Sequence, residues 1–423
     1  TLCPRGTGGV STCRGPLGEP GGLVLVFEAP PGSAEDEADL AQVLDLAKRF
    51  WKGPIAVDFA IRCAGNRDDV KDKTLVACRP YTAALRPVLN PARVVCLGYQ
   101  AARIWLGEAV VDIDFDAAQG GYFMVGQLPV HILPRPGWGA WRGAAAALWA
   151  QALSEALTHP QSWYLERDPF LAGVEMHVVE SPADTAEAIR RITAAGDHPI
   201  VVDLETYGYV GDPDCTIVVI GLKAQNARES FCWYGTHITE PATFELLRQL
   251  FADPARKWIN HFIKFDLLRL DLFGLPVAGP FACTVAAMKY LRPTIKKASL
   301  ASLSPLVGQG GFKAAQEALL KPVMEQLRQA KLAHMRATLG RKVKADEVEG
   351  NEFRPYAHAY VDPIAESAYN AQDLFSTSDL GLEIGRRRKA LSPARAEAVK
   401  YEWQRFGQGM TRVFVEMERN GVY

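Results

Sequence analysis

Nowhere in the 423 residues does an apolar run approach the ~18 residues that cross a bilayer, and no signal-peptide pattern opens the chain. Excess charge is also lacking: 47 Lys and Arg stand against 48 Asp and Glu, a formal net charge of −1. With no global basic field, a nucleic-acid ligand would have to be held by local patches and by metal. The first residue is Thr1 rather than methionine, so native residues are expected before it. What is present describes a soluble globular protein with an ample core, 48% hydrophobic and 22% charged. Its length calls for two or three domains, and a cytoplasmic setting is expected.

The stretch Ile200-Val201-Val202-Asp203-Leu204-Glu205-Thr206 is an apolar run ending in two carboxylates. Residues two apart on a strand share a face, so Asp203 and Glu205 should project together from the end of a buried strand. Like charges on one face are costly unless a cation lies between them, and hard divalent ions take oxygen ligands. Alone, an Asp-x-Glu is more often a solvated strand end. Two later segments offer further carboxylates. Trp258 to Leu268 reads as a short strand, a turn at Asn260-His261 and a helix. That helix is expected to bury Phe262, Phe265, Leu268 and Leu272, with Asp266 on the flank of the stripe. In Tyr369-Asn370-Ala371-Gln372-Asp373, Tyr369 and Asp373 lie four apart on one helical face.

The order Asp-x-Glu, Phe-Asp, Tyr-x3-Asp resembles the DEDD 3′–5′ exonucleases of the tyrosine subgroup, above all the proofreading domain of family-A DNA polymerases. The second motif there commonly reads His-Asn-x-Lys-Phe-Asp. Here it is His261-Phe262-Ile263-Lys264-Phe265-Asp266, with Phe262 in place of the asparagine and Asn260 two residues early. The resemblance implies a ribonuclease H-like α/β fold. It implies that Asp203, Glu205, Asp266 and Asp373 hold two Mg²⁺ or Mn²⁺, and that Tyr369 orients the attacking water. Two ions roughly 3.5–4 Å apart can stabilise both oxygens of an in-line phosphodiester displacement. With a reference pKa of about 10, Tyr369 would fix that water by a hydrogen bond rather than act as a strong base. Thr206, Asn260 and Lys264 are candidate substrate contacts, each also explicable as ordinary structure. The implied activity is an exodeoxyribonuclease working on a single-stranded DNA 3′ end.

The first third alternates strands with helices: strands at Leu23 to Phe27, Ile55 to Phe59 and Arg93 to Gly98, helices at Glu35 to Trp51, Pro80 to Val88, Ala101 to Leu106 and Arg142 to Leu157. A hairpin over Tyr122–Val125 and Val130–Leu133 completes a mainly parallel α/β layer. Glu28-Ala29-Pro30-Pro31 with Glu35-Asp36, the pair Cys63 and Cys78, and Val94 to Ala101 resemble the iron–sulfur uracil-DNA glycosylases. The resemblance implies that Cys3, Cys13, Cys63 and Cys78 ligate a [4Fe–4S] cluster. In that family the first two cysteines lie closer, so a cysteine before Thr1 could replace Cys13. Zinc on the same thiolates, or free thiols, are the alternatives. The glycosylase pocket departs from the family: Phe59 replaces its asparagine and Arg135-Pro136 its His-Pro, leaving Glu28 and Asn66 as polar groups. DNA binding or docking is therefore expected rather than uracil excision, which needs such groups to read a flipped base. Arg135, Trp138 and Trp141 would offer charge and stacking, unless the tryptophans are buried packing residues.

The expected organisation is a glycosylase-like domain over 1–158, a linker over 159–173, an exonuclease domain over 174–391 and a final helix over 392–423. Within the exonuclease domain, Cys283-Thr284 stands where the family often has Asp-Thr, and Gly308 to Gly311 reads as a flexible turn. A polar helix from Lys313 to about Leu339 and a charged stretch from Gly340 to Val361 read as an insertion. Its Lys331, Arg336, Arg341, Lys342 and Lys344 could meet a DNA backbone, or form a solvated face. The last helix is expected from Ser392 to Arg419, capped by Gly421. Its end, Met417 to Val422, resembles the junction into a family-A polymerase domain. The chain is thus expected to be part of a longer phage or bacterial polymerase or a stand-alone derivative, with a polymerase domain or replication proteins as partners. The competing readings are ribonuclease D-like RNA trimming, an active uracil glycosylase and a non-catalytic replication scaffold.

Overall fold

A computed structural model describes residues 15–62, 72–110, 114–136, 144–165, 174–208, 215–293, 295–310, 313–339, 343–344, 347–348 and 350–420. The chain divides into two compact units, Thr1–Ala172 with Ile295–Gly311, and Gly173–Thr294 with Phe312–Tyr423.

In the first unit, β1 (Leu17–Gly18), β2 (Leu23–Phe27), β3 (Ile55–Phe59), β4 (Arg93–Leu97), β5 (Tyr122–Val125) and β6 (Leu128–Leu133) form one sheet in the order β1-β3-β2-β4-β6-β5. The four central strands are parallel, and β1 and β5 pair antiparallel at the edges. A parallel strand is covered on both faces, so it reads as an unbroken apolar run. In β2, Val24 and Val26 enter one core with Cys96, Ile132 and Trp105, whereas Leu23 and Leu25 enter another with Val43, Ala47 and Leu153. The Ala34–Phe50 helix starts where the Ser33 hydroxyl accepts from the Asp36 amide.

Ile295–Gly311 lies inside the span 174–391 read as one domain, yet it packs with the first unit. The Lys297 amide donates to Asp114 Oδ2 at 2.7 Å, and the Asp114 amide donates to Ser302 Oγ at 2.8 Å. Nor is Gly308 a loose turn: its φ is +80°, and a Cβ there would lie 1.9 Å from the Tyr122 hydroxyl.

The second unit holds β7 (Glu175–Val178), β8 (Ile200–Tyr207), β9 (Thr216–Ala224), β10 (Glu229–Tyr234), β11 (Trp258–Asn260) and β12 (Phe281–Cys283), in the order β12-β11-β8-β9-β10-β7. β9 runs antiparallel to β8 and β10, while β8, β11 and β12 are parallel. That mixed order and direction agree with the α/β fold expected for this part of the chain. One face carries the main core, with Val202, Leu204, Leu222, Trp233, Phe251 and Trp258. On the other face Val201 and Ile259 pack on Leu374 of the Pro363–Lys389 helix. Each fully buried aliphatic or aromatic side chain here contributes about 1.5–3 kcal/mol.

Two expectations change. The helix after β11 begins at Lys264, not Phe262, because Phe262 adopts a left-handed backbone with φ +61°. It is covered on several sides, burying Ile263, Asp266, Leu267, Leu268 and Leu270, while Phe262 (54%) and Leu272 (55%) are exposed. The final helix is interrupted: Pro393–Glu402 and Gln408–Arg419 flank a π-turn at Trp403–Gly407. A Cβ on Gly407 would sit 2.3 Å from the Trp403 ring, so the turn folds that ring over the glycine. Its expected cap, Gly421, lies outside the described residues, as do Arg341 and Lys342. Of the basic residues in the insertion, Lys331 pairs with Glu352 at 3.0 Å and Arg336 donates to the Val343 carbonyl. Among the described residues no helix is long and apolar enough to cross a membrane.

Candidate active site

Val201 faces the Pro363–Lys389 helix, so the strand period of two turns Asp203 and Glu205 to that same side. The β8–β9 pairing slips between Glu205 and Thr206, directly beside the acid pair. Bulges of this kind re-aim side chains next to functional sites. The facing helix begins at Asp362, whose carboxylate accepts from the Ile364 and Ala365 amides, with Pro363 in its first turn. It carries Tyr369 and Asp373, both buried, one turn apart. Carboxylate oxygens of Asp203, Glu205 and Asp373 lie within 4.8 Å of one another.

Asp266 belongs to the same charge environment. Burial raises its pKa well above the carboxylate range, and the charges of Glu205 and Asp373 push the same way against opposing backbone hydrogen bonds. Asp203, Glu205 and Asp373 form an all-oxygen donor set suited to a divalent cation, with Asp266 coupled to two of them by charge. On that chemistry the residues fit the Mg²⁺ or Mn²⁺ that the exonuclease resemblance implies. Asn370 Nδ2 donates to Asp203 Oδ2 at 2.9 Å, and Cys232 Sγ lies 3.9 Å from Asn370 Oδ1. Burial drives the Cys232 thiol pKa up, with Asp203 and Glu205 adding to it, so it stays protonated under the site.

His358 Nδ1 lies 3.2 Å from Glu205 Oε2 and 2.5 Å from Glu366 Oε1. Burial lowers its pKa, but the Glu366 hydrogen bond and the charges of Glu205 and Glu366 outweigh it and raise the pKa above its ordinary value, Arg354 acting against them. Sequence reasoning missed Asn370, Glu366 and His358. For the first two a signal existed: Glu366, Tyr369, Asn370, Asp373 and Thr377 recur at helical spacing, a polar stripe on a helix that proves buried. Nothing in the sequence pointed to His358.

The remaining candidates are scattered. Thr206 is buried, and Asn260 is fully buried with its Oδ1 accepting from the His261 amide. His261 Nδ1 shares a 2.8 Å hydrogen bond with Thr284 Oγ1. Lys264 pairs with Glu418 at 2.6 Å. In the first unit Arg135 pairs with Glu28 at 3.5 Å, and Cys78 is buried in the core. Cys3, Cys13, Cys63, Asn66, Trp138 and Trp141 lie outside the described residues.

Residues 176–316 match the DNA_pol_A_exo1 family, described as 3′-5′ exonuclease; the match covers one third of the chain. It takes in Asp203, Glu205 and Asp266 and stops short of Tyr369 and Asp373. No curated protein matches the chain. Among solved structures, a Trypanosoma brucei RNase D complex with RNA U12 is 14% identical with a TM-score of 0.30, covering 37% of this chain and 52% of that one. The chain thus spans about half the length of that relative. Brucella melitensis NrnC bound to pGG is 15% identical with a TM-score of 0.31, covering 54% and 88%. The catalytic core of RRP6 from Trypanosoma brucei is 14% identical with a TM-score of 0.34, covering 55% and 52%.

Proposed function

We propose that the second unit is a metal-dependent 3′–5′ exonuclease of the proofreading type, hydrolysing DNA from a single-stranded 3′ end in phage or bacterial replication. One observation carries this reading. Asp373 lies beyond the matched exonuclease region and beyond a long insertion, yet its carboxylate meets Asp203 and Glu205 within 4.8 Å. Asp203, Glu205, Asp266 and Asp373 would hold two divalent ions, which when bound supply charge stabilisation to the oxygens of the phosphodiester. The protein's own part is placement. Asn370 fixes the Asp203 carboxylate through its 2.9 Å hydrogen bond. Tyr369, one turn from Asp373, is assigned to orient the attacking water by its hydroxyl. Thr206 and Lys264 are assigned to substrate phosphate.

For the first unit we infer a DNA-docking role without uracil excision. Phe27, Glu28, Leu97, Arg135 and Pro136 line a small cleft, in which Arg135 stands where the resembling glycosylases carry histidine. Arg135 is held on Glu28, and Glu28 accepts from the Gln100 amide at 3.1 Å. A [4Fe–4S] cluster on Cys3, Cys13, Cys63 and Cys78 remains part of this proposal, and brown absorbance of the purified protein is its test.

The decisive experiment offers labelled single-stranded DNA and RNA to the protein with Mg²⁺, with EDTA, and as an Asp203→Ala/Glu205→Ala variant. The expected outcome is stepwise shortening of DNA from its 3′ end with Mg²⁺ alone, and loss of at least 10³-fold in rate in the variant. Undiminished hydrolysis by the double variant would sink the assignment. Preferred shortening of RNA would move the chain to the ribonuclease D-like reading.

A further inference from the structure

We propose that Glu205, His358 and Glu366 form a second, mixed nitrogen–oxygen metal site, selective for a borderline divalent cation of the Zn²⁺ class over Mg²⁺. It goes beyond the all-carboxylate cluster just described and depends on that reading only in sharing Glu205. The three donors are His358 Nδ1 and one carboxylate oxygen each from Glu205 and Glu366, all within 4.8 Å of one another. Ligands about 2.1 Å from a tetrahedral ion lie about 3.4 Å from one another; His358 Nδ1 is 3.2 Å from Glu205 Oε2 and 2.5 Å from Glu366 Oε1, so small side-chain shifts, outward for Glu366, seat all three on one ion. A separate observation points to a ligand. Glu366 is 1% exposed, and its Oε2 has no hydrogen-bond partner among the described residues although Oε1 is taken by His358. A lone pair of a buried carboxylate left unused is costly, and a cation among these donors would satisfy it.

Donor chemistry sets the selectivity. Carboxylates and water suit Mg²⁺, whereas imidazole suits Zn²⁺ and its transition-metal neighbours. Asp203, Glu205 and Asp373 offer oxygen only; replacing two of them by Glu366 and His358 gives a donor set of the other kind, with Glu205 bridging the two. Three protein ligands also leave an open position, as in catalytic rather than structural zinc sites. The segment bearing His358 holds the Glu205 side of the cluster from outside the sheet: Gly208 at the end of β8 donates to the Pro355 carbonyl at 2.8 Å.

The test titrates the metal-free full chain with Co²⁺, a spectroscopic stand-in for Zn²⁺, in excess Mg²⁺, and reads visible absorbance and X-ray absorption at the cobalt edge. His177, which lies among Glu175 and Glu229, is replaced by Gln throughout so that it adds no imidazole. One Co²⁺ equivalent with imidazole scattering is expected. His358→Gln should weaken it about 10–100-fold and Glu366→Gln about tenfold, by the usual cost of lost ligands and their supports. Asp373→Asn should abolish DNA hydrolysis yet leave the cobalt signal, which separates this site from the nuclease reading. An all-oxygen cobalt shell in the His177→Gln background would overturn the proposal even if the Glu366 variant fails to fold. So would unchanged affinity in His358→Gln.

Discussion

Phe262 stands where the resembling exonucleases carry asparagine, and its backbone shows what the substitution costs. Its φ of +61° lies in the left-handed region, which penalises a residue with a Cβ by about 1–2 kcal/mol and which asparagine tolerates. The ring recovers little of this by burial, since 54% of the residue is exposed. Phe262→Asn is therefore expected to raise the unfolding free energy by about 1 kcal/mol, read as an upward shift of the urea midpoint at constant slope. A lowered midpoint would mean that the ring packs better than its exposure indicates. The same variant reports on function. If the ring touches the bound strand, KM for DNA rises while kcat holds.

Helix and strand meet at Gly221 of β9, where a Cβ would fall 1.7 Å from Asn370 Oδ1 and 2.9 Å from Leu374 Cδ1. Glycine there lets the helix bearing Tyr369 and Asp373 approach the strand bearing Asp203 and Glu205. Gly221→Ala is expected to cost about 1–3 kcal/mol by overpacking, and to lower kcat by about 10²-fold by displacing Asp373. Equal kcat in the variant and parent would show that the site does not depend on this approach. Such an interlock is hard to see in a sequence. The covered strands were legible because a parallel strand is a bare apolar run between turns, as Leu23–Phe27 and Ile55–Phe59 are. The acids were legible through their spacing within each element. The Lys264–Phe273 helix was misread because its packing on several sides leaves no single apolar stripe. His358 escaped altogether, since its contact with Glu205 spans about 150 residues and no periodicity announces it. The return of Ile295–Gly311 to the first unit escaped for the same reason: nothing local marks a segment whose partner Asp114 lies 183 to 188 residues earlier.

Across the molecule each unit carries a buried basic group whose charge burial opposes, His131 in the first and Lys223 in the second, and the two act in separate pH windows. In the first unit burial, then Arg93 and His159, lower the His131 pKa to about 3 from the ordinary 6.5. The neutral ring shares a 3.0 Å hydrogen bond with the Tyr164 hydroxyl. In the second unit burial lowers the Lys223 pKa to about 8 from 10.5, Asp379 acting the other way. Its ammonium donates to the Ala224 and Gln225 carbonyls and to Ser378 Oγ, over the Phe375 ring. Stability rises with pH wherever the unfolded chain binds more protons. For His131 that window is pH 3 to 6.5, so its contribution is complete above 6.5 and is lost as pH falls toward 3. For Lys223 the window is pH 8 to 10.5: the cost of burying the ammonium is full below 8 and relieved by about 10.5. A shift of 2.5 units corresponds to about 3 kcal/mol, and with the side chain almost wholly buried solvent screens little of it. Hydrogen exchange, resolved by peptide and normalised to intrinsic rates, should show amides of β4 and β6 losing protection from pH 6.5 downward. Amides of β9 should gain protection from pH 8 to 10.5. His131→Gln should flatten only the acid limb and Lys223→Met only the alkaline one. A single variant that flattened both would mean that the two units do not titrate independently.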